Sequence, residues 1–215
     1  MSRALFIIDV QNDFTEGGAL GVDGGAAVAA GVTGYLRAHP DRYAAVFASR
    51  DWHDGDNDNG GHFATDAAPD FVTSWPRHCV AGTTGAEYHP SLDTSLIDVH
   101  VRKGQGKPAY SIFEGTTDDA LAVKAKLEQL GITAIDVVGI ATDYCVRASA
   151  LDAVAVAVAA DADSTAGVGT TQGAGATHRR IRVLTDLIAG VAPDSSADAL
   201  AELAGNGVEL ARSAD

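Results

Sequence analysis

The feature that most restricts this chain is a series of short apolar runs separated by segments of helical period. Leu5-Phe6-Ile7-Ile8 is continuous rather than alternating, the pattern of a strand covered on both faces. Ala44 to Ala48, Ile97 to Val101, Ile135 to Ile140, Ile181 to Leu184 and Val208 to Leu210 read as further strands. Between them, Gly24 to His39 is Ala-rich and closes at Pro40, as a helix would. Thr117 to Leu130 carries apolar Ala120, Val123, Leu127 and Leu130, with Asp118 and Asp119 in the expected first turn and Gly131 after the end. Asp143 to Ala159 and Ser196 to Ala204 complete the predicted helices. Strands alternating with helices predict an α/β fold, a parallel sheet with helices on both faces. Two stretches lack periodicity. Asp51 to Gly82 is long for a connection, and Asp161 to Arg180 reads as a surface insertion in a single domain over 1–215.

Composition narrows the function. The 215 residues carry 15 Lys+Arg against 29 Asp+Glu, a net charge of −14. A dedicated nucleic-acid or anionic-membrane binder needs a basic face, so both are excluded as expectations. No apolar stretch reaches the roughly 18 residues of a membrane helix, and the first apolar run meets Asp9 too early for a signal peptide. Cys79 and Cys145 lie far apart without CxxC spacing, which points to free thiols and a cytoplasmic protein. The expected partner is a small molecule, with monomer or homo-oligomer left open. The Gly/Thr/Ala-rich stretch before Arg180 lacks the GK[ST] of a phosphate loop.

In open α/β sheets ligands bind beyond the carboxyl ends of the strands. Asp9, Asp51 and Lys103 follow the first three strands, and Cys145 lies five residues after Ile140. Alone, each has an ordinary reading: a turn-forming Asp, a solvated Lys, a small buried Cys. Together they can activate a thiol. A free thiol titrates near ~8.5, a neighbouring carboxylate can accept its proton, and an ammonium favours the resulting charge. A predicted helix N-terminus at Cys145 supplies amides for an oxyanion. The chemistry this suggests is attack on a carbonyl to give a thioester. Asp51, His53, His62 and His78 form a second group inside the aperiodic stretch. It reads either as a nitrogen and oxygen site for Zn²⁺, Fe²⁺ or Mn²⁺ or as solvent-facing loop residues, and spacing alone leaves both open. Asp54, Asp56 and Asp58 lack the twelfth-position Glu of a calcium loop. Phe14, Trp52, Phe63, Phe71, Trp75 and Tyr110 lie in or near these loops and can line a slot for a flat ring or pack beneath them. Cys79 reads as packing.

IIDVQNDF, SRDWH, SWPRHCVAGT, the Lys of VRKG, AYSIFEG and GIATDYCV, in this order, resemble the nicotinamidase/pyrazinamidase family of isochorismatase-like cysteine hydrolases. The resemblance runs from about Leu5 to Leu187 and more weakly to the end. It implies a doubly wound, Rossmann-like parallel sheet of about six strands and hydrolysis of nicotinamide to nicotinate and ammonia, with pyrazinamide as an analogue. Cys145 then matches the nucleophile, Asp9 the general base and Lys103 the third member of a triad. The Ala141 and Cys145 backbone amides match an oxyanion hole, after a cis Ile140–Ala141 bond. Asp51, His53 and His78 match ligands of one divalent metal (Zn, Fe or Mn), and His62 a position that is a ligand in some members. Phe14, Trp75 and Tyr110 are expected around the ring. Rival readings are a ureido- or carbamoyl-hydrolysing relative, isochorismatase proper, and a metal-loaded binding protein without catalysis. The histidine set, Cys145, and the intact Asp9/Lys103/Cys145 set argue against these in turn.

Overall fold

The computed structural model describes residues 2–165 and 179–215. Seven strands form one sheet: β1 (Arg3–Ile8), β2 (Ala45–Asp51), β3 (Val99–Lys103), β4 (Thr116–Thr117), β5 (Ala134–Ile140), β6 (Arg180–Ala189) and β7 (Glu209–Ala211). Their order is β4-β3-β2-β1-β5-β6-β7, and every neighbouring pair is parallel except β3 and β4. The six parallel strands are the doubly wound sheet that the sequence predicts. The seventh, β4, is a two-residue antiparallel edge with no hydrophobic run to announce it.

Continuous apolar strands follow from cover on both faces. Ala4, Phe6 and Ile8 of β1 enter one core with Phe47, Val101 and Val137. Leu5 and Ile7 enter the other with Val46, Val138 and Leu184. Helix α1 (Gly25–Ala38) closes the second face through Val28, Val32 and Leu36. Helices α2 (Val123–Gln129), α3 (Arg147–Thr165) and α4 (Pro193–Gly205) close the first. Helix α3 meets the sheet through Ala150, Ala153 and Ala157, small residues three and four apart that allow close approach. At Gly139 (φ 119°) β1 passes so close that a Cβ there would lie 2.2 Å from the Ile8 carbonyl oxygen.

Two predicted helices differ. Only Val123–Gln129 of the Thr117–Leu130 segment is helical. Thr117 Oγ1 donates to Asp119 Oδ1 at 2.6 Å and accepts from the Leu121 N–H at 3.0 Å, while Ala120 adopts φ 61°. These local side-chain bonds compete with the helix and hold Asp118 and Asp119 in a turn before it. The Asp143–Ala159 helix begins instead as a π-turn over Thr142–Val146, and α3 follows from Arg147. Of the predicted insertion 161–180, the first residues continue α3 and Arg180 opens β6, while 166–178 lie outside the described residues. Among the described residues no helix is long and apolar enough to cross a membrane.

Opposite the carboxyl edge, Asp136 of β5 is fully buried and joins three strands and a loop. Arg182 of β6 donates to it twice, Nε to Oδ1 at 2.8 Å and Nη2 to Oδ2 at 2.6 Å. Arg3 of β1 also donates to it, and the Tyr43 hydroxyl does so at 2.8 Å. Burial raises the Asp136 pKa, but the hydrogen bonds from Arg182 and Tyr43 and the charges of Arg3 and Arg182 together outweigh it and leave the carboxyl below its ordinary range. Asp136→Ala leaves two guanidinium groups short of an anion and is expected to lose about 3–5 kcal/mol in urea denaturation. A carboxyl depressed in the folded state stabilises above its unfolded pKa of about 3.9, and that contribution disappears as pH falls through the folded value. The wild type should therefore lose stability faster than Asp136→Ala as pH drops below about 4; parallel acid profiles would contradict this role.

Candidate active site

The order of strand addition reverses between β1 and β5, and at such switch points the carboxyl ends of the strands leave a crevice. The four residues singled out at strand ends meet there. Asp9 follows β1 in the left-handed conformation (φ 47°), one that Asp tolerates better than most residues. Its carboxylate accepts from Ser49 Oγ at 2.7 Å, and its own N–H donates to the same hydroxyl at 3.3 Å. Asp51 and Lys103 are directly paired in the parallel β2–β3 register. Cys145 lies in the π-turn after β5, below the cis Ile140–Ala141 peptide.

Lys103 is the centre of the group. Its ammonium is fully buried, bonds Asp51 Oδ1, lies 2.9 Å from Asp9 Oδ2 and donates to the Ala109 carbonyl at 3.2 Å. Cys145 Sγ is 3.7 Å from the same nitrogen. Burial pushes Asp9 above the ordinary carboxylate range, with Lys103 pulling the other way and Asp51 adding to the rise. Asp51 goes the opposite way. Burial opposes its charge, but Lys103 and the adjacent imidazoles hold it well below the usual range. The Cys145 thiol is raised well above its ordinary value by burial, against the pull of Lys103, so the resting sulfur is protonated. A thiol, a proton acceptor and a fixed ammonium are thus in one dry cluster.

The histidines converge beside it. His53 Nε2 and His78 Nε2 lie 3.6 and 3.8 Å from Asp51 Oδ2. His53 Nδ1 donates to the Gly104 carbonyl and His78 Nδ1 to the Pro76 carbonyl, each at 2.8 Å. These bonds fix each ring's orientation and turn Nε2 toward Asp51, as backbone carbonyls do for metal-ligating imidazoles. His62 joins them: the ligand atoms of all three lie within 4.8 Å of one another. His53 Nε2 and His62 Nδ1 are buried without a hydrogen-bond partner. Burial, with His53 and His78 beside it, holds the His62 pKa down to about 3, so this ring is neutral. Three buried imidazoles around a carboxylate, with orphaned nitrogens on His53 and His62, fit a divalent cation and no solvent-facing role.

Above this floor opens a cavity of about 390 Å³ with Asp51, His62, His78, Ala141 and Cys145 in its wall. Phe14, Trp75 and Tyr110 also line it, and Trp75 Nε1 donates to the Tyr110 hydroxyl at 3.1 Å. Phe71 joins them at the mouth, 54% exposed. Two aromatics from the loop set are elsewhere. Phe63 is buried behind His53 and His78, with ring centroids 5.1 and 5.5 Å away. Trp52 packs beneath the Arg50 and Arg102 guanidinium groups. Sequence reasoning missed Tyr144, whose ring meets Trp75 edge-on at 5.2 Å, and also Leu20 and Val191 of the cavity wall. Adjacency to Cys145 was the available signal for Tyr144; the other two carry none. Cys79 is fully buried, its N–H donating to Asp13 Oδ2 at 2.7 Å, and burial lifts its thiol well above the ordinary range. Packing accounts for it.

The sequence matches the isochorismatase domain family over residues 3–215. It is 46% identical to the nicotinamidase/pyrazinamidase of Mycobacterium tuberculosis over 208 residues, 97% of each chain. Its fold is similar to that of Pyrococcus horikoshii pyrazinamidase solved with zinc, at TM-score 0.75 and 31% identity over 99% of both chains. It is also similar to an L. infantum protein solved with nicotinate, at TM-score 0.75 and 29% identity over 99% of this chain and 93% of the other.

Gly104 takes φ 84°, and a Cβ there would lie 2.5 Å from His53 Cε1. Gly104→Ala is expected to lose at least about 1–2 kcal/mol from the left-handed backbone alone, measured as a lower urea midpoint. An unchanged midpoint would show that neither the strain nor the imidazole contact is felt.

Proposed function

The chain belongs to the isochorismatase family, and from that premise we propose that it is a metal-dependent cysteine amidohydrolase converting nicotinamide to nicotinate and ammonia. Pyrazinamide, with the same carboxamide on a diazine ring, would be a second substrate. The observation that carries the reading is the meeting of Cys145, Asp9 and Asp51 on the buried Lys103 ammonium at the floor of an aromatic-lined cavity. The amidase activity named for the Mycobacterium tuberculosis relative supports it.

In this reading a flat ring lies among Phe14, Trp75 and Tyr110 with its carboxamide carbon against Cys145 Sγ. Asp51, His53, His62 and His78 would hold one divalent ion (zinc, iron or manganese), which when bound would supply Lewis-acid anchorage for a ring nitrogen. Asp9 takes the thiol proton as the sulfur–carbon bond forms and the carbonyl electron pair moves to oxygen. That coupling suits a thiol held neutral by burial and a carboxyl raised above its usual range. The backbone amides of Ala141 and Cys145 would donate hydrogen bonds to the oxyanion. Asp9 returns its proton to the leaving nitrogen, the carbon–nitrogen bond breaks and ammonia departs. A water then loses a proton to Asp9 and attacks the thioester, releasing nicotinate and restoring the thiol. Lys103 stays an ammonium throughout, with burial outweighed by the carboxylates of Asp51 and Asp9. Its role is to fix both carboxylates and lower the electrostatic cost of thiolate. Such an enzyme would act in the cytoplasm in the recovery of pyridine rings for NAD synthesis.

Ammonia release from nicotinamide by purified protein tests the reaction. Cys145→Ala should retain the metal and turn over at below about one-thousandth of the wild-type rate; substantial residual turnover removes Cys145 as nucleophile. His53→Ala should lose bound metal, read by elemental analysis, and unchanged metal content would remove His53 from the site. A folded, metal-replete wild type that releases no ammonia would overturn the reading itself.

A further inference from the structure

One fully buried polar side chain in the first strand-end motif has no part in the chemistry above. Gln11 lies two residues after Asp9 and is completely removed from solvent. Its carboxamide makes three hydrogen bonds. Oε1 accepts from the Asp51 N–H at 2.8 Å, and Nε2 donates to the Asp51 carbonyl at 2.9 Å and to the Ala86 carbonyl at 2.9 Å. The acceptor must face an N–H and the donor two carbonyls, so the amide has only one orientation that satisfies them.

The topology explains why such a group is needed. The β1–β2 ladder ends at the Ile7–Ala48 pair, and at Asp9 the chain turns away in the left-handed conformation. Strand β2 continues three residues further to Asp51 and on that side has lost its neighbour. The Gln11 carboxamide takes the vacated position. It presents one acceptor and one donor to the N–H and C=O of a single residue, as a peptide group of an adjacent strand would. Gln11 is itself anchored by a main-chain bridge to Tyr88, with Asn12 N–H donating to the Glu87 carbonyl at 3.0 Å and His89 N–H to that of Val10 at 2.9 Å. On the opposite side, the Asp51 backbone is held by the β2–β3 pairing with Lys103.

We propose that Gln11 is a positioning residue: its carboxamide substitutes for the missing strand and fixes Asp51 for metal binding before any metal arrives. This rests on the reading of Asp51 as a metal ligand. Asp51 carries a charge that must face Lys103 through one oxygen and the histidines through the other, so a small rotation of its backbone spoils both contacts. Outer-shell groups of this kind typically contribute about 10–100-fold to metal affinity.

The test uses full-length protein loaded with zinc and challenged with a chelator, beside residue-resolved amide exchange of the wild type. Gln11→Met keeps the length and removes all three bonds. It should remain folded by circular dichroism and release zinc about 10–100-fold faster than wild type. Release within twofold of wild type from a folded variant overturns the proposal. If the variant does not fold, the wild type decides. The Asp51 N–H should exchange as slowly in zinc-free protein as in loaded protein, and protection gained only on adding zinc overturns a preformed clamp. A wild type that retains no zinc overturns the metal reading instead, and exchange at Asp51 in that protein still judges the clamp.

Discussion

A buried ammonium holds this site together. Lys103 is out of water altogether, and an ammonium there needs partners for all three protons. The Asp51 carboxylate and the Ala109 carbonyl accept from it, and Asp9 lies against it as an ion pair at 2.9 Å. Those partners come from the ends of β1 and β2 and from the loop after β3, so one nitrogen ties together three segments that the sheet alone leaves free beyond their last ladder bonds. The arrangement also sets the charge of the floor. Two buried carboxyl groups face one ammonium, leaving an excess of negative charge beside three buried imidazoles. A divalent cation is the species whose charge and ligand preference fit that excess.

The rigid floor and the aromatic walls are built differently. The charged groups sit on or next to strands, where register fixes them: Asp51 opposes Lys103 because β2 and β3 pair in parallel with that alignment. The walls come from loops and turns, with Phe71 and Trp75 supplied by the long aperiodic segment. There the Trp75 N–H donates to the His62 carbonyl at 2.8 Å, and the Ala64 N–H donates to that of Trp75 at 2.9 Å. One backbone bridge thereby joins an imidazole of the floor to an aromatic ring of the wall. The mouth is left to Phe71 and Val191, both more than half exposed, where a ligand would cover apolar surface.

Legibility in the sequence followed the strength of local signals. The six parallel strands were readable because burial on both faces demands continuous apolar runs such as Leu5 to Ile8. The Thr117–Leu130 helix misled because its apolar spacing is real from Val123 onward, while Thr117 and Asp119 bond to each other and hold the first turn open. The antiparallel β4 has two threonines and no pattern. Within the site, strand-end position pointed to Asp9, Asp51, Lys103 and Cys145. For the aromatics, loop membership alone did not separate Trp75 and Tyr110, which line the cavity, from Phe63 and Trp52, which do not. Leu20 and Val191 carry no local mark that distinguishes a cavity wall from ordinary packing, and Tyr144 carries only its adjacency to Cys145.

By itself, then, the sequence determined the class of fold, the strand ends where chemistry gathers and the family whose motifs it carries. These are properties of neighbouring residues: hydrophobic period, turn formers and short motifs. Only the tertiary structure decided that Asp51 belongs at once to the Lys103 cluster and to the histidine cluster, and that His62 comes within ligand distance of His53 and His78. It alone aimed the Gln11 carboxamide at the end of β2 left unpaired beyond the β1–β2 ladder. The reason is distance along the chain. Asp9, Asp51, Lys103 and Cys145 share no local pattern, and their contacts exist because the sheet aligns the carboxyl ends of β1, β2, β3 and β5 at one switch point.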